Sequence, residues 1–198
     1  MIQNIEGLHA AGLATMAYYY FDFRDVKKRD LYGLLSSLIL QLSTDSDSFY
    51  DILSRLYLDN ARGIRKPTIS ALKKCLTDML SLLGQAPTYI IVDALDECPN
   101  SSGTPSAREE VLNLINELVD LKLPNVHLCV ASRPEMDIRM ALEPLASLKI
   151  SLHDQVGQNE DIIEYIKSVV RSDRSMRRWT EEDKQLVIDT LSDRADGM

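Results

Sequence analysis

Leu31, Leu34, Leu35, Leu38 and Leu42 recur at the three-and-four spacing of an amphipathic helix. Phe49, Ile52, Leu53 and Leu56 repeat the pattern, and so do Ile69, Leu72, Leu76, Met79, Leu80 and Leu83. Thr68, just after Pro67, is placed to cap the third of these helices, and Gly84 to end it. A weaker helical stretch covers 2–11, with Ile2, Ile5 and Leu8 on one face and Gly12 as its stop. Four stretches break the helical period. Ala14 to Phe21 is rich in small and aromatic residues, Tyr89-Ile90-Ile91-Val92 and Val126 to Ala131 are short apolar runs, and Leu148 to Leu152 alternates. Each predicts a β-strand.

The residues between these strands are helical in period or turn-forming. Residues 98–105, Cys-Pro-Asn-Ser-Ser-Gly-Thr-Pro, are all loop formers. Ser106 with Glu109 makes a capping box, and the helix it opens carries Val111, Leu114, Ile115 and Leu118 inward. A short helix is predicted over 135–143. Strands alternating with helices from 14 to 152 predict an α/β fold with a mostly parallel sheet. From Asn159 onward the period is helical throughout, and Thr180 with Asp183 opens the last helix. A boundary near residue 155 therefore divides an α/β core, 1–155, from a helical subdomain, 156–198.

Composition changes this picture little. The 198 residues are 45% apolar and 26% charged, with a net charge of −8. That charge argues against a nucleic-acid binder, which would carry a basic face. No apolar run approaches the roughly 20 residues of a membrane span, and the first residues lack a basic region followed by an apolar core. Cys75, Cys98 and Cys129 show no metal-ligand spacing. An odd, sparse set of cysteines predicts reduced thiols and a cytoplasmic location.

The chemistry concentrates at the end of one strand. Asp93, Asp96 and Glu97 follow the apolar run Tyr89–Val92 at once. Ligands of α/β sheets bind at the carboxyl ends of the strands. Mg²⁺ held by one or two carboxylates commonly brings substrate phosphates with it. The segment thus reads as the Walker B strand of a nucleoside triphosphatase, with Asp93 on the metal and Asp96 or Glu97 orienting or deprotonating the attacking water. The competing reading has Asp93 capping a turn and the other two acids solvated. A second strand, Leu128-Cys129-Val130-Ala131, ends in Ser132-Arg133-Pro134. A hydroxyl and a guanidinium at that place suit a phosphate sensor, and the competing reading is a surface ion pair of little worth. Cys98 sits among acids, which would raise its thiol pKa and lower its reactivity. His127, on a strand, reads as a structural residue.

The pair YIIVDALDECPN and HLCVASRPE resembles the NACHT branch of signal-transducing (STAND-type) P-loop ATPases. More narrowly, it is similar to the nephrocystin-3-like N-terminal domains common in fungal NACHT proteins. YYYFDFRD followed by a Leu-rich helix looks like the second strand of those domains, and DIIEYIKSVV with the residues after it looks like the start of their helical region. The resemblance implies that Asp93 is the magnesium aspartate, that Asp96 and Glu97 are the extended acidic pair, and that Ser132 and Arg133 are on the sensor side. It implies a switch that uses Mg²⁺ with ATP or GTP, and a P-loop sheet whose Walker A strand lies between the sensor strand and the last strand.

The chain departs from that pattern in one respect. Gly7 and Gly12 have the Walker A spacing, but Leu13-Ala14 stand where Lys-Ser/Thr is required, and a strand rather than a helix follows. The expectation is a P-loop sheet without its central first strand, a truncated or decayed copy whose true start need not be Met1. Phosphate loops supply several main-chain N–H bonds and a lysine. Without two or three charge-assisted bonds of ~1.5–3 kcal/mol, roughly 4–8 kcal/mol of phosphate binding is lost, about three to six decades in Kd. The chain alone is expected to bind no nucleotide cofactor. Two other readings stand beside this one: an interaction module that pairs through open strand edges with an intact NACHT protein or with itself, and a Mg²⁺-dependent phosphohydrolase using Asp93, Asp96 and Glu97.

Overall fold

The structure, a computed structural model, describes residues 2–82, 86–100, 105–151 and 158–194. Helix α1 (Ile2–Ala10) stops at Gly12, whose φ of 69° suits a residue without a Cβ. Strand β1 (Thr15–Tyr20) follows. Helix α2 (Leu31–Ser43) begins at Asp30, whose carboxylate accepts the N–H of Gly33 at 2.8 Å. Helix α3 (Asp47–Asp59) is capped by Ser46. Helix α4 (Ile69–Leu80) is capped by Thr68, the one of the two that the sequence predicts. Helix α4 ends at Leu80; Leu83 and Gly84, read as its last apolar contact and its stop, lie outside the described residues.

Strand β2 (Thr88–Asp93), helix α5 (Ala107–Asp120), strand β3 (Val126–Val130) and helix α6 (Met136–Leu142) complete this part of the chain. The three strands form a parallel sheet in the order β1-β2-β3, so β2 is central. The fold is α/β and mostly helical. Ala17 and Tyr19 of β1 and Ile90 and Val92 of β2 turn to one face. There they join Leu34, Leu35, Leu38 and Leu42 of α2, Leu76 and Met79 of α4, and Val111 and Ile115 of α5 in a continuous core. Helix α2 packs on β1, α3 and α4 together, which is why its apolar stripe is almost wholly buried. The opposite face carries Met16, Tyr18, Tyr20, Tyr89, Ile91 and His127. His127 is exposed and stacks on Tyr89, ring centroids 4.8 Å apart.

The chain divides into two compact units, Met1–Ala146 and Ser147–Met198. In the second, helices α7 (Gln158–Ser172) and α8 (Glu181–Arg194) pack together around Val170 and Ile188. Thr180 and Asp183 cap α8 reciprocally: the Thr180 hydroxyl accepts the N–H of Asp183 at 3.1 Å and donates to its carboxylate at 2.7 Å, which also accepts the N–H of Thr180 at 3.4 Å. Among the described residues no helix is long and apolar enough to cross a membrane.

One predicted strand does not form in its described part. Residues 148–151 carry no strand, Leu148 and Ile150 are exposed, and Leu152 lies outside the described residues. Alternation makes a strand only where a neighbour takes the main-chain hydrogen bonds, and residues 148–151 are not part of the described sheet.

The two edges of the sheet differ. In a parallel pair, the N–H and C=O of one residue point to the same side. Thr15 and Phe21 bond toward β2, so Met16, Tyr18 and Tyr20 face outward. The side-chain amide of Gln41 closes that edge, accepting the N–H of Tyr18 at 3.1 Å and donating to its carbonyl at 2.7 Å. Asp45, held by His9 at 3.0 Å, accepts the N–H of Met16 at 3.4 Å. On β3, Ala131 and Asn125 bond toward β2, so Val126, Leu128 and Val130 face outward, and no described strand lies beyond them. Gln41→Ala removes the amide that stands in for a strand. It should lower stability by about 1–2 kcal/mol, read as a lower urea midpoint at unchanged slope, with faster hydrogen exchange at Tyr18.

Candidate functional site

Strand β2 delivers Asp93 to the carboxyl end of the sheet, and a short 3₁₀ turn, Leu95–Glu97, carries the other two acids. The turn is entered through Ala94 in the left-handed region, φ 53°. That conformation costs an alanine on the order of 1 kcal/mol. Leu95 anchors the turn in the core, and its N–H reaches the carbonyl of Ala131 at the end of β3.

The three acids have three environments. Asp93 is half-buried; its Oδ1 accepts the N–H of Ala94 at 2.8 Å, and its Oδ2 has no hydrogen bond among the described residues. The Asp96 side chain is 12% exposed. Its Oδ1 accepts the main-chain N–H of Arg133 at 3.1 Å and faces the Ser132 hydroxyl at 3.4 Å, while its Oδ2 lies 3.5 Å from Nε of Arg133. Glu97 accepts the N–H of Phe23 through Oε2 at 3.3 Å. The structure thus brings Asp96, Ser132 and Arg133 into direct contact and sets Glu97 against the loop after β1. Asp93 bonds the N–H of the next residue, and no side chain caps the 3₁₀ turn; Asp96 and Glu97 are hydrogen-bonded rather than freely solvated. The Arg133 side chain itself is 85% exposed. Among the described residues no three His, Cys, Asp or Glu side chains come together as a metal-binding group. Asp93 with one open oxygen still suits Mg²⁺, which takes one or two carboxylates and completes its shell with water and phosphate.

A cavity of about 380 Å³ opens beside the turn, bordered by Phe23, Asp96, Glu97, Arg108, Arg133 and Glu135. Arg108 is the functional-site residue that sequence reasoning missed. Only 5% exposed, it donates through Nε to the carbonyl of Cys98 at 2.9 Å and through Nη2 to the carbonyl of Asp96 at 2.5 Å. Its Nη1 pairs with the Glu135 carboxylate and lies 3.3 Å from Oδ2 of Asp137. Burial works against its charge, and the two carboxylates more than offset this, so its pKa stays above the ordinary value. One signal was available. Arg108 is the second residue of α5, after the Ser106 cap, where the helix dipole favours acids. A cation there implies carboxylates from elsewhere.

Residues 1–133 match the family described as nephrocystin 3, N-terminal. The chain belongs to that family. The matched residues include all three strands and the acidic turn; Glu135 and Asp137 lie just beyond them. No curated protein and no solved structure matches the chain.

Cys98 behaves as the sequence implies, but for another main reason. Burial, more than the nearby acids, pushes its thiol up to about 12, and the adjacent Arg108 pulls the other way. Burial likewise lifts Cys75 to about 11. Both thiols stay protonated in the folded chain over a pH range in which they ionise once unfolded. Their contribution to stability is complete below pH 9.0, the ordinary thiol value, and is lost as pH rises toward the folded values. Denaturant titrations should show stability falling between pH 9 and 11, by at most about 1.4 kcal/mol per pH unit for each thiol. The fall should be shallower in Cys75→Ala/Cys98→Ala.

Proposed function

We propose that these residues form a NACHT-type, STAND-class nucleoside-triphosphatase module of a signalling or regulatory protein, one that carries the metal and sensor side of the site without a phosphate loop. The observation that supports this is the meeting of the two motif ends: Asp93 closes the central strand, and Asp96, three residues on, is bonded to Ser132 and Arg133 at the end of the neighbouring strand. In this reading Asp93 would hold Mg²⁺, which supplies charge neutralisation of transferring phosphate oxygens. Asp96 and Glu97 would orient the attacking water. Ser132 and Arg133 would face the terminal phosphate, Arg133 exchanging its contact with Asp96 for one with the nucleotide.

The 198 residues contain no Gly-x₄-Gly-Lys-Ser/Thr, so by themselves they should neither bind nor turn over nucleotide. Calorimetry with Mg²⁺ and ATP or GTP at millimolar concentration is expected to show no binding, and phosphate release no turnover. Fusing a strand and a Gly-x₄-Gly-Lys-Thr loop ahead of residue 1 should restore ATP binding, and Asp93→Ala should abolish it again. Mg²⁺-dependent phosphate release by the unextended chain, lost in Asp93→Ala, would instead favour the phosphohydrolase reading.

A second reading, an interaction module, is favoured by the open edge of β3. Apolar strands with unguarded edges invite another strand, and the occupant would be an intact NACHT-type protein or a second copy. Light scattering should then show concentration-dependent association, weakened about tenfold by His127→Lys, which sets a charge on that edge strand. A strict monomer that also fails to bind an intact relative would end this reading.

A further inference from the structure

All three guanidinium nitrogens of Arg108 donate to two segments that are distant in sequence. Its Nε and Nη2 hold the carbonyls of Cys98 and Asp96, which belong to the acidic turn. Its Nη1 engages Glu135 and Asp137, which follow the Ser132-Arg133 segment. The same segments are tied a second time, because Asp96 accepts the N–H of Arg133. A third tie runs through Asp137: its carboxylate accepts from Asn100 at 2.9 Å, and the amide oxygen of Asn100 accepts from the Ser106 hydroxyl at 2.9 Å. Ser106 also caps the helix that carries Arg108. The ties therefore close into a ring around a nearly buried guanidinium. The turn they restrain starts at a left-handed alanine, and such backbone persists only where the surroundings over-determine it.

We propose that Arg108 is a positioning residue that locks the acidic turn 96–98 to the segment 132–137, so that Asp96, Ser132 and Arg133 are presented as one unit. The purpose of that unit rests on the function proposed above; the lock itself does not. A planar fork is required, because a lysine ammonium is a point charge that cannot span two carbonyls and two carboxylates in fixed directions. When the fork is lost, the strained turn relaxes and opens locally, without the rest of the core unfolding.

Cys98 lies inside the lock and is fully buried, with its Sγ 3.5 Å from the carbonyl of Arg29. Cys75, on α4, is buried in the core away from the turn. Thiols react through the exposed thiolate, so labelling at Cys75 reports global opening and labelling at Cys98 also reports local opening of the turn. The test is alkylation of the folded chain with iodoacetamide at pH 8, each cysteine quantified by mass spectrometry. In Arg108→Gln and Arg108→Lys the ratio of Cys98 to Cys75 rates should rise at least tenfold over wild type. Glu135→Gln/Asp137→Asn, which keeps Arg108 on the carbonyls, should raise it about threefold, and this variant decides the matter if the Arg108 variants do not fold. Rates that rise in step at both cysteines, or a Cys98 rate that does not change, would overturn the lock and leave Arg108 a general contributor to stability. A lysine variant that labels like wild type would overturn the requirement for a fork. The measurement uses no nucleotide, so a failure to bind ATP leaves its result intact.

Discussion

Main-chain groups that leave a regular ladder must find a partner, and in this chain side chains repeatedly supply one. Gln41 stands in for a missing strand beside Tyr18. Arg108 takes the carbonyls of Asp96 and Cys98, which no helix or strand satisfies. Asp96 and Glu97 accept the N–H groups of Arg133 and Phe23, two loop residues with no ladder of their own. The acidic turn is thus held from three directions by polar side chains, and from beneath by Leu95 in the core. The order of the site is a consequence of this hydrogen-bond accounting, more than of apolar packing around it.

The same accounting separates the two edges of the sheet. A three-stranded parallel sheet with one face in the main core is small for an α/β fold, and β2 is paired on both sides. The β1 edge is finished by Gln41 and by Asp45, itself fixed by His9. The β3 edge has apolar residues and no such finish among the described residues. An edge without charge, proline or cover is where a sheet grows. This asymmetry links the fold to the interaction reading, and it lies beside Ser132-Arg133 rather than remote from them.

Within the site, charge is distributed by geometry. Arg133 balances Asp96 at the surface, where screening keeps the pair weak and exchangeable. Arg108 balances Glu135 and Asp137 where burial makes the pairing obligatory. Two arginines of similar chemistry therefore serve different ends. The exposed one has a single, weakly held partner, and the buried one is fixed between two segments of the chain.

Much of this was legible in the residues. The periodicity of Leu31–Leu42, the caps at Thr68, Ser106 and Thr180, and the apolar runs at 89–92 and 126–130 specify local structure, because spacing and capping act over four residues or fewer. The acids after β2 and Ser132-Arg133 after β3 were legible as site candidates for the same reason: each motif is contiguous. Pairings that join residues tens of positions apart were not. Nothing local distinguishes Leu148–Leu152, which alternates but forms no strand in its described part, from Thr15–Tyr20, which does; only a neighbour in space decides that. Nor does a lone arginine early in α5 announce the two carbonyls and two carboxylates it will meet. The sequence by itself determined the helices, the short apolar strands at 88–93 and 126–130, and the chemistry at their ends. Tertiary structure alone decided the order β1-β2-β3, the open edge and the buried ring around Arg108, because those depend on contacts whose partners are brought together only when the chain has closed.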